Sequence, residues 1–197
     1  MEIYDISQAI FSCEVYEGDP KPKRETICAI ESGSLYNLTA FSMCAHNGTH
    51  IDAPYHFFEN GKTVDALPLD KTIGPCYVAE FNGVLSSTDA ENIYARAVSI
   101  DKEASKRLLL KGDLVVSAEA ARVFADKKIN LIGNESQTVG PIDAPMEVHK
   151  ILLSQDVVLL EGIRLGKVQE GVYFLSAAPL SLSRADGAPC RAVLIRM

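Results

Sequence analysis

Apolar and polar positions change their rhythm near the middle of the chain. Through residue 85, short stretches rich in Ile, Tyr, Val, Phe or Thr stand at Glu2–Ile6, Glu25–Ile30, Leu35–Met43 and Cys76–Phe81. Gly18-Asp-Pro, Gly33, Gly61 and Gly74-Pro75 punctuate them, a pattern of β-strands joined by loops. Beyond that point strand and helix signals alternate. Arg107–Lys111 reads as a strand, and Ser117-Ala-Glu-Ala-Ala-Arg-Val-Phe-Ala as a helix with Ser117 as N-cap and Glu119 in its first turn. Ile129–Ile132 reads as a buried strand closed by Gly133, and Pro145–Leu153 as a short helix with proline near its start. The unbroken apolar run Val157–Glu161 predicts a strand covered on both faces. Val172–Leu175 and Arg191–Ile195 supply the last strands. Strands followed by strand–helix alternation predict a single mixed α/β domain over residues 1–197.

Composition narrows the function classes. The chain has 197 residues, enough for one large domain, and is 47% apolar, enough for a sizeable core. Its net charge is −7, and its Lys and Arg residues are scattered, with Lys21, Lys23 and Arg24 the densest group, expected in a solvated loop. That balance argues against nucleic acid or an anionic membrane as partner, because both reward clustered positive charge. No apolar run approaches the ~18–20 residues needed to cross a bilayer. The start, Met-Glu-Ile-Tyr-Asp, has neither a basic region nor an apolar signal region, so a cytoplasmic location is expected. The five cysteines, Cys13, Cys28, Cys44, Cys76 and Cys190, form no C-x-x-C pair and are expected as free thiols in a reducing compartment. Cys44, two residues before His46, is retained as a minor candidate for an extra ligand.

Chemistry concentrates in one segment, His46-Asn-Gly-Thr-His-Ile-Asp-Ala-Pro-Tyr-His56, which holds three of the four histidines. A helix through it is opposed by Gly48, the β-branched Thr49 and Ile51, and Pro54. An extended chain puts His46, His50, Asp52 and His56 on one parity and Ile51 and Ala53 on the other. Residues two apart in a strand lie ~6.6 Å apart at Cα, so His50 and Asp52 can grip one ion side by side. Four residues span roughly 13 Å, too far for His46 to join them unless the chain bends, and Gly48 is where it can. Two imidazoles and a carboxylate suit zinc or manganese and leave a position open for water. The fourth histidine, His149, lies on the short helix, and Glu161 ends the apolar strand that follows it. Glu161 either emerges at a sheet edge or needs a cation, since a carboxylate is costly to bury alone. With His149 it can complete a second metal site in which Asp52 bridges.

The segment resembles the H-x-G-T-H-x-D-A-P-x-H signature of the cyclase superfamily, which includes bacterial kynurenine formamidases and isatin hydrolases. Ile3-Tyr-Asp-Ile-Ser is similar to the family's opening strand and Gly18-Asp19-Pro20 to its P-G-D loop. Leu131-Ile-Gly133 resembles the strand before its second metal-binding segment, and Ala185-Asp-Gly-Ala-Pro-Cys-Arg-Ala-Val193 its closing strand. The twelve-residue separation of His149 and Glu161 matches the remaining ligands of the family. The resemblance implies a swivelling β/β/α fold and a homodimer or larger homo-oligomer. It implies one ion on His46, His50 and Asp52, a second on Asp52, His149 and Glu161 where present, and His56 as acid–base catalyst. Zinc, as one or two ions, is the implied metal, with manganese also compatible. The activity implied is arylformamidase, the hydrolysis of N-formylkynurenine to kynurenine and formate in tryptophan breakdown, by a metal-activated water.

Two departures bear on substrate choice. The family's aromatic-Pro-Gly-Asp loop reads Tyr16-Glu-Gly-Asp19 here, in a chain without Trp, and Arg107–Gly112 runs almost directly into the Ser117 helix, as if a covering loop were shortened. Rival readings are a hydrolase of a cyclic amide, imide or lactone, like the isatin hydrolases, and a metal- or ligand-binding protein without catalysis. A serine hydrolase finds no G-x-S-x-G elbow, and a nucleotide-binding protein no P-loop or G-x-G-x-x-G.

Overall fold

Two apolar faces are written into the central strands. In the strand Ile73–Glu80, Tyr77 and Ala79 enter one buried cluster while Cys76 and Val78 enter another. Leu108 and Leu110 likewise part from Leu109, and Leu159 from Val158 and Leu160. The two-residue period of a strand sends successive side chains to opposite faces, so a sheet with this pattern needs cover on both.

The structure, a computed structural model, describes residues 1–196. Its first half holds β1 (Glu2–Asp5), β2 (Lys23–Cys28), β3 (Leu38–Ser42), β4 (His50–Asp52), β5 (Ile73–Glu80), β6 (Gly83–Leu85) and α1 (Ser87–Ile100). Then come β7 (Arg107–Lys111), β8 (Leu114–Val116), α2 (Ala118–Asp126), β9 (Leu131–Asn134), α3 (Met146–Leu153) and β10 (Val158–Glu161). The chain closes with β11 (Gly171–Ser176), β12 (Gly187–Pro189) and β13 (Val193–Arg196). Nine strands form the main sheet in the order β1-β13-β11-β5-β7-β9-β10-β4-β12. Its centre, β5-β7-β9-β10, is parallel, and the flanking pairs are antiparallel. The parallel strands are joined through α1, α2 and α3, which cover one face over Tyr77, Leu108, Leu110, Ile132 and Leu159. On the other face, Ile6, Ile51, Leu67, Ile163, Leu165 and Leu175 close the second layer. This is the single mixed α/β architecture predicted from the pattern.

The strand Arg107–Lys111 lies where it was expected, and Ser117 caps α2 by accepting a hydrogen bond from the Ala120 N–H at 3.1 Å. The helix α1 was not foreseen. Its buried stripe is only Ala90, Ile93 and Ala97, too thin to stand out, although Ser86 and Asp89 form a reciprocal capping box at its start. Residues 35–37 and Met43 were expected in a strand, but they flank β3. Lys23 and Arg24, expected in a loop, open β2 and remain exposed. β2 and β3 pair only with each other, a two-stranded arm that leaves Ile27, Leu38 and Phe41 about half exposed and Leu35 at its tip 95% exposed.

Candidate metal centre

Strand register builds the floor of the site. β4 and β10 are antiparallel neighbours in which Asp52 stands opposite Leu159 and His50 opposite Glu161. Directly opposed residues share a face, as do residues two apart, so His50, Asp52 and Glu161 project to the side covered by helices. Ile51, between them, packs into the opposite layer with Leu160 and Ala53. α3 lies over this face and brings down His149, whose Nε2 is 3.2 Å from Glu161 Oε1 and 3.5 Å from Asp52 Oδ2.

His46 arrives from a turn. Gly48 adopts φ +64°, a left-handed conformation that glycine enters without cost, and its N–H donates to Glu14 C=O. The bend brings the ring centroids of His46 and His50 to 5.2 Å, and sets His46 Nδ1 2.8 Å from Asp52 Oδ1. His50 Nε2 lies 3.3 Å from the same oxygen and 3.4 Å from Glu161 Oε2. Pro54 starts a short helical turn, Pro54–His56, that carries His56 to the rim with its ring 4.1 Å from that of His46. Thus the predicted bend at Gly48 exists, and Pro54 adds a second turn. Only His50–Asp52 is strand, so the four residues converge through turns rather than along one extended face.

The outer nitrogens of the three imidazoles beside the carboxylates are all engaged. His50 Nδ1 lies 3.0 Å from Gly48 C=O, and His149 Nδ1 lies 2.9 Å from Pro145 C=O. His46 Nε2 lies 2.8 Å from Asp186 Oδ2. Each of these partners only accepts, so each of these nitrogens carries the N–H. The remaining nitrogens, His46 Nδ1, His50 Nε2 and His149 Nε2, then turn lone pairs toward the two carboxylates. Lone pairs facing carboxylate oxygens are unfavourable unless a proton or a cation lies between them.

Protonation shows the same demand. Burial pulls His46, His50 and His149 toward the neutral form, but hydrogen bonds and charge from Asp186, Asp52 and Glu161 outweigh it and raise them to about 11, 9 and 10. Burial raises the Asp52 carboxyl, yet hydrogen bonds from His149, His46 and His50 hold it well below the usual carboxylate range. Glu161 is also lowered, against burial and the neighbouring Asp52 charge, by His149 and His50, and it further accepts the Val139 N–H at 2.7 Å. Two carboxylates buried side by side therefore require positive charge. A divalent cation supplies it where the imidazoles are neutral, and outward N–H groups on carbonyls and a carboxylate are the usual support of metal-binding histidines. The ligand atoms of His46, His50 and Asp52 lie within 4.8 Å of one another, as do those of Asp52, His149 and Glu161. The residues fit a metal, with Asp52 common to both groups.

A cavity of about 250 Å³ opens over these residues, lined also by Tyr16, Asp19, His56, Phe57, Gln137 and Thr138. Gln137 Nε2 and Oε1 and Thr138 Oγ1 are buried and have no protein hydrogen-bond partner among the described residues.

Comparison with known proteins agrees with this geometry. Residues 4–141, well over half of the chain, match the sequence profile of a family described as "Putative cyclase". The chain belongs to this cyclase family. The kynurenine formamidase of Salinibacter ruber is 32% identical over 98% of this chain and 97% of its own length. That of Bacillus cytotoxicus is also 32% identical, over 98% and 97%. A solved structure described as a "predicted metal-dependent hydrolase" from Bacillus stearothermophilus superposes with a TM-score of 0.79 at 32% identity, covering 98% of this chain and 97% of that one. An isatin hydrolase bound to the product analogue thioisatinate gives a TM-score of 0.82 at 19% identity, over 98% and 91%, and so shares the fold. The family profile ends before His149 and Glu161, which join the site on geometry.

All six residues singled out in the sequence meet here: His46, His50, Asp52, His149 and Glu161 around the two carboxylates, and His56 at the rim. Glu161 is not an emerging edge residue, being 2% exposed beneath α3. Cys44 is not among the clustered ligand atoms; its Sγ lies 3.8 Å from Asp19 Oδ2. Tyr16 and Asp19, of the loop that departs from the family pattern, line the cavity, and so do Gln137 and Thr138, which carried no signal in the sequence. Asp186 was also missed. It lay in the Ala185–Val193 segment, where an acidic residue before a Gly-Ala-Pro strand has no chemical periodicity to reveal it.

Proposed function

We propose that this chain is a metal-dependent hydrolase of C–N bonds acting as an arylformamidase, with N-formylkynurenine as substrate. One observation carries the reading. The three imidazoles held outward by acceptors turn their inner nitrogens onto the buried carboxylates of Asp52 and Glu161. His46, His50 and Asp52 would hold one ion and Asp52, His149 and Glu161 a second, with zinc favoured by the imidazole–carboxylate set and manganese also accepted by it. A bound divalent cation lowers the pKa of water from ~15.7 toward ~7 and stabilises negative charge developing on a carbonyl oxygen. His56 stands at the cavity rim with Nδ1–H donated to Asp186 at 3.0 Å, so its Nε2 is free to take a proton from water and return it to the leaving nitrogen. Phe57 and Tyr16 give the cavity apolar walls for an aromatic ring. The volume, about 250 Å³, lies just below the ~300–1,000 Å³ usual for ligand pockets and favours a small amide over a peptide.

The full-length likeness to kynurenine formamidases supports the formamide over a cyclic amide such as isatin, whose hydrolases share the fold at lower identity. Metal analysis of the purified protein with a hydrolysis screen across N-formylkynurenine, isatin and simple lactones tests this. Turnover of the formamide well above the others is expected. Faster opening of isatin or a lactone moves the substrate class, and bound metal without turnover of any substrate makes the chain a binding protein. We propose further that the chain works as a homo-oligomer in a reducing compartment. The exposed apolar arm and five free cysteines support this, and light scattering in solution checks the assembly. No helix among the described residues is long and apolar enough to cross a membrane.

A further inference from the structure

We propose that Asp186 is a positioning residue that sets the tautomers of His46 and His56 together, through one carboxylate oxygen. Asp186 Oδ2 lies 2.8 Å from His46 Nε2 and 3.0 Å from His56 Nδ1. An ionised carboxylate oxygen only accepts, so both ring nitrogens must present N–H to it. The consequences on the two rings differ. His46, with Nε2–H committed to Asp186, keeps Nδ1 as the nitrogen facing Asp52 Oδ1 at 2.8 Å, where a bound cation would take the place of a proton. His56 is left with Nε2 unprotonated toward the cavity, the state a proton acceptor needs. The two rings lie 4.1 Å apart and tilted by 32°, so neither can swing without disturbing the other's hydrogen bond to the shared oxygen.

The fold holds Asp186 for this task. Its C=O accepts the Ala53 N–H at 2.9 Å, and the next residue, Gly187, stands opposite Asp52 in the β4–β12 pairing. A Cβ on Gly187 would lie 2.6 Å from His46 Cε1, so glycine there is what lets the imidazole close on the strand. The Asp186 side chain is 41% exposed, unlike Asp52 and Glu161, so it stays outside the buried carboxylate pair while touching one of its ligands. The competing reading is that Asp186 is itself a ligand, since its oxygen and nitrogens of His46 and His56 also lie within 4.8 Å of one another.

The role given to His56 rests on the proposed hydrolase function, whereas the tautomers do not, and the test separates them. Nitrogen-detected NMR of labelled histidines is recorded first on wild-type protein, with and without zinc. His56 is expected as the Nδ1–H tautomer in both, and an Nε2–H tautomer for wild-type His56 overturns the proposal even if no variant folds. Asp186→Asn is expected to mix or reverse the His56 tautomer and to lower kcat by about 10²- to 10⁴-fold. KM should move less than about threefold, and zinc should bind about 10- to 100-fold more weakly while the kcat loss persists at saturating zinc, with Asp186→Glu recovering part of both losses. An unchanged tautomer with kcat within about threefold of wild type overturns the proposal, as does loss of zinc with turnover per bound ion preserved. If wild type hydrolyses no formamide, the tautomer result still judges Asp186, and only the functional reading fails.

Discussion

The two halves of the metal centre are made in different ways. His46, His50 and Asp52 come from seven consecutive residues bent at Gly48, and His46 keeps 13% of its side chain exposed. His149 and Glu161 come from α3 and β10, meet Asp52 only because β4 pairs with β10, and are 4% and 2% exposed. One half is a local turn and the other a product of sheet register. A ligand set written in one turn needs little of the fold, whereas the second needs most of it and shares its bridging carboxylate with the first.

Substitution of the shared residue should break both halves. Asp52→Asn is expected to release the bound metal and lower turnover by at least about 10³-fold, several kcal/mol of charge stabilisation, as read by elemental analysis and steady-state kinetics. His149→Ala should split the halves. It leaves His46, His50 and Asp52 in place, so about half of a two-ion complement should remain, with turnover reduced by about 10- to 100-fold. Equal loss of metal in both variants would show that the halves are not separable.

The smallest effect is one of pH on the metal-free protein. His46, His50 and His149 have folded-state values of about 11, 9 and 10, above the ordinary value of 6.5. The stability they contribute is fully present below pH ~6.5 and is lost as pH rises through about 9 to 11. A bound cation replaces those protons and needs the inner nitrogens unprotonated. Zinc should therefore raise Tm by several degrees more at pH ~8.5 than at pH ~6, and an equal gain at both would argue against a cation on these nitrogens.

How far the sequence revealed this follows the same division. The parity of His50 and Asp52 against Ile51, the need for a bend at Gly48, and the cap at Ser117 are local properties, and each was legible. The family resemblance supplied His149 and Glu161, which on their own carried no periodicity. Missing from the sequence reading were α1, whose buried stripe is two alanines and one isoleucine, and Asp186, Gln137 and Thr138, whose importance comes only from where β12 and the loop after β9 end up. Burial of a polar residue beside a cavity is a property of the folded sheet, and no spacing in the chain encodes it.

The division of labour between the chelating residues and His56 is the centre of the account, and one variant tests it most directly. His56→Ala, compared with wild type for metal content per chain and for turnover of N-formylkynurenine, should keep its metal and lose turnover by about 10²- to 10⁴-fold. Loss of metal with turnover per remaining ion preserved would make His56 a ligand and contradict the assignment.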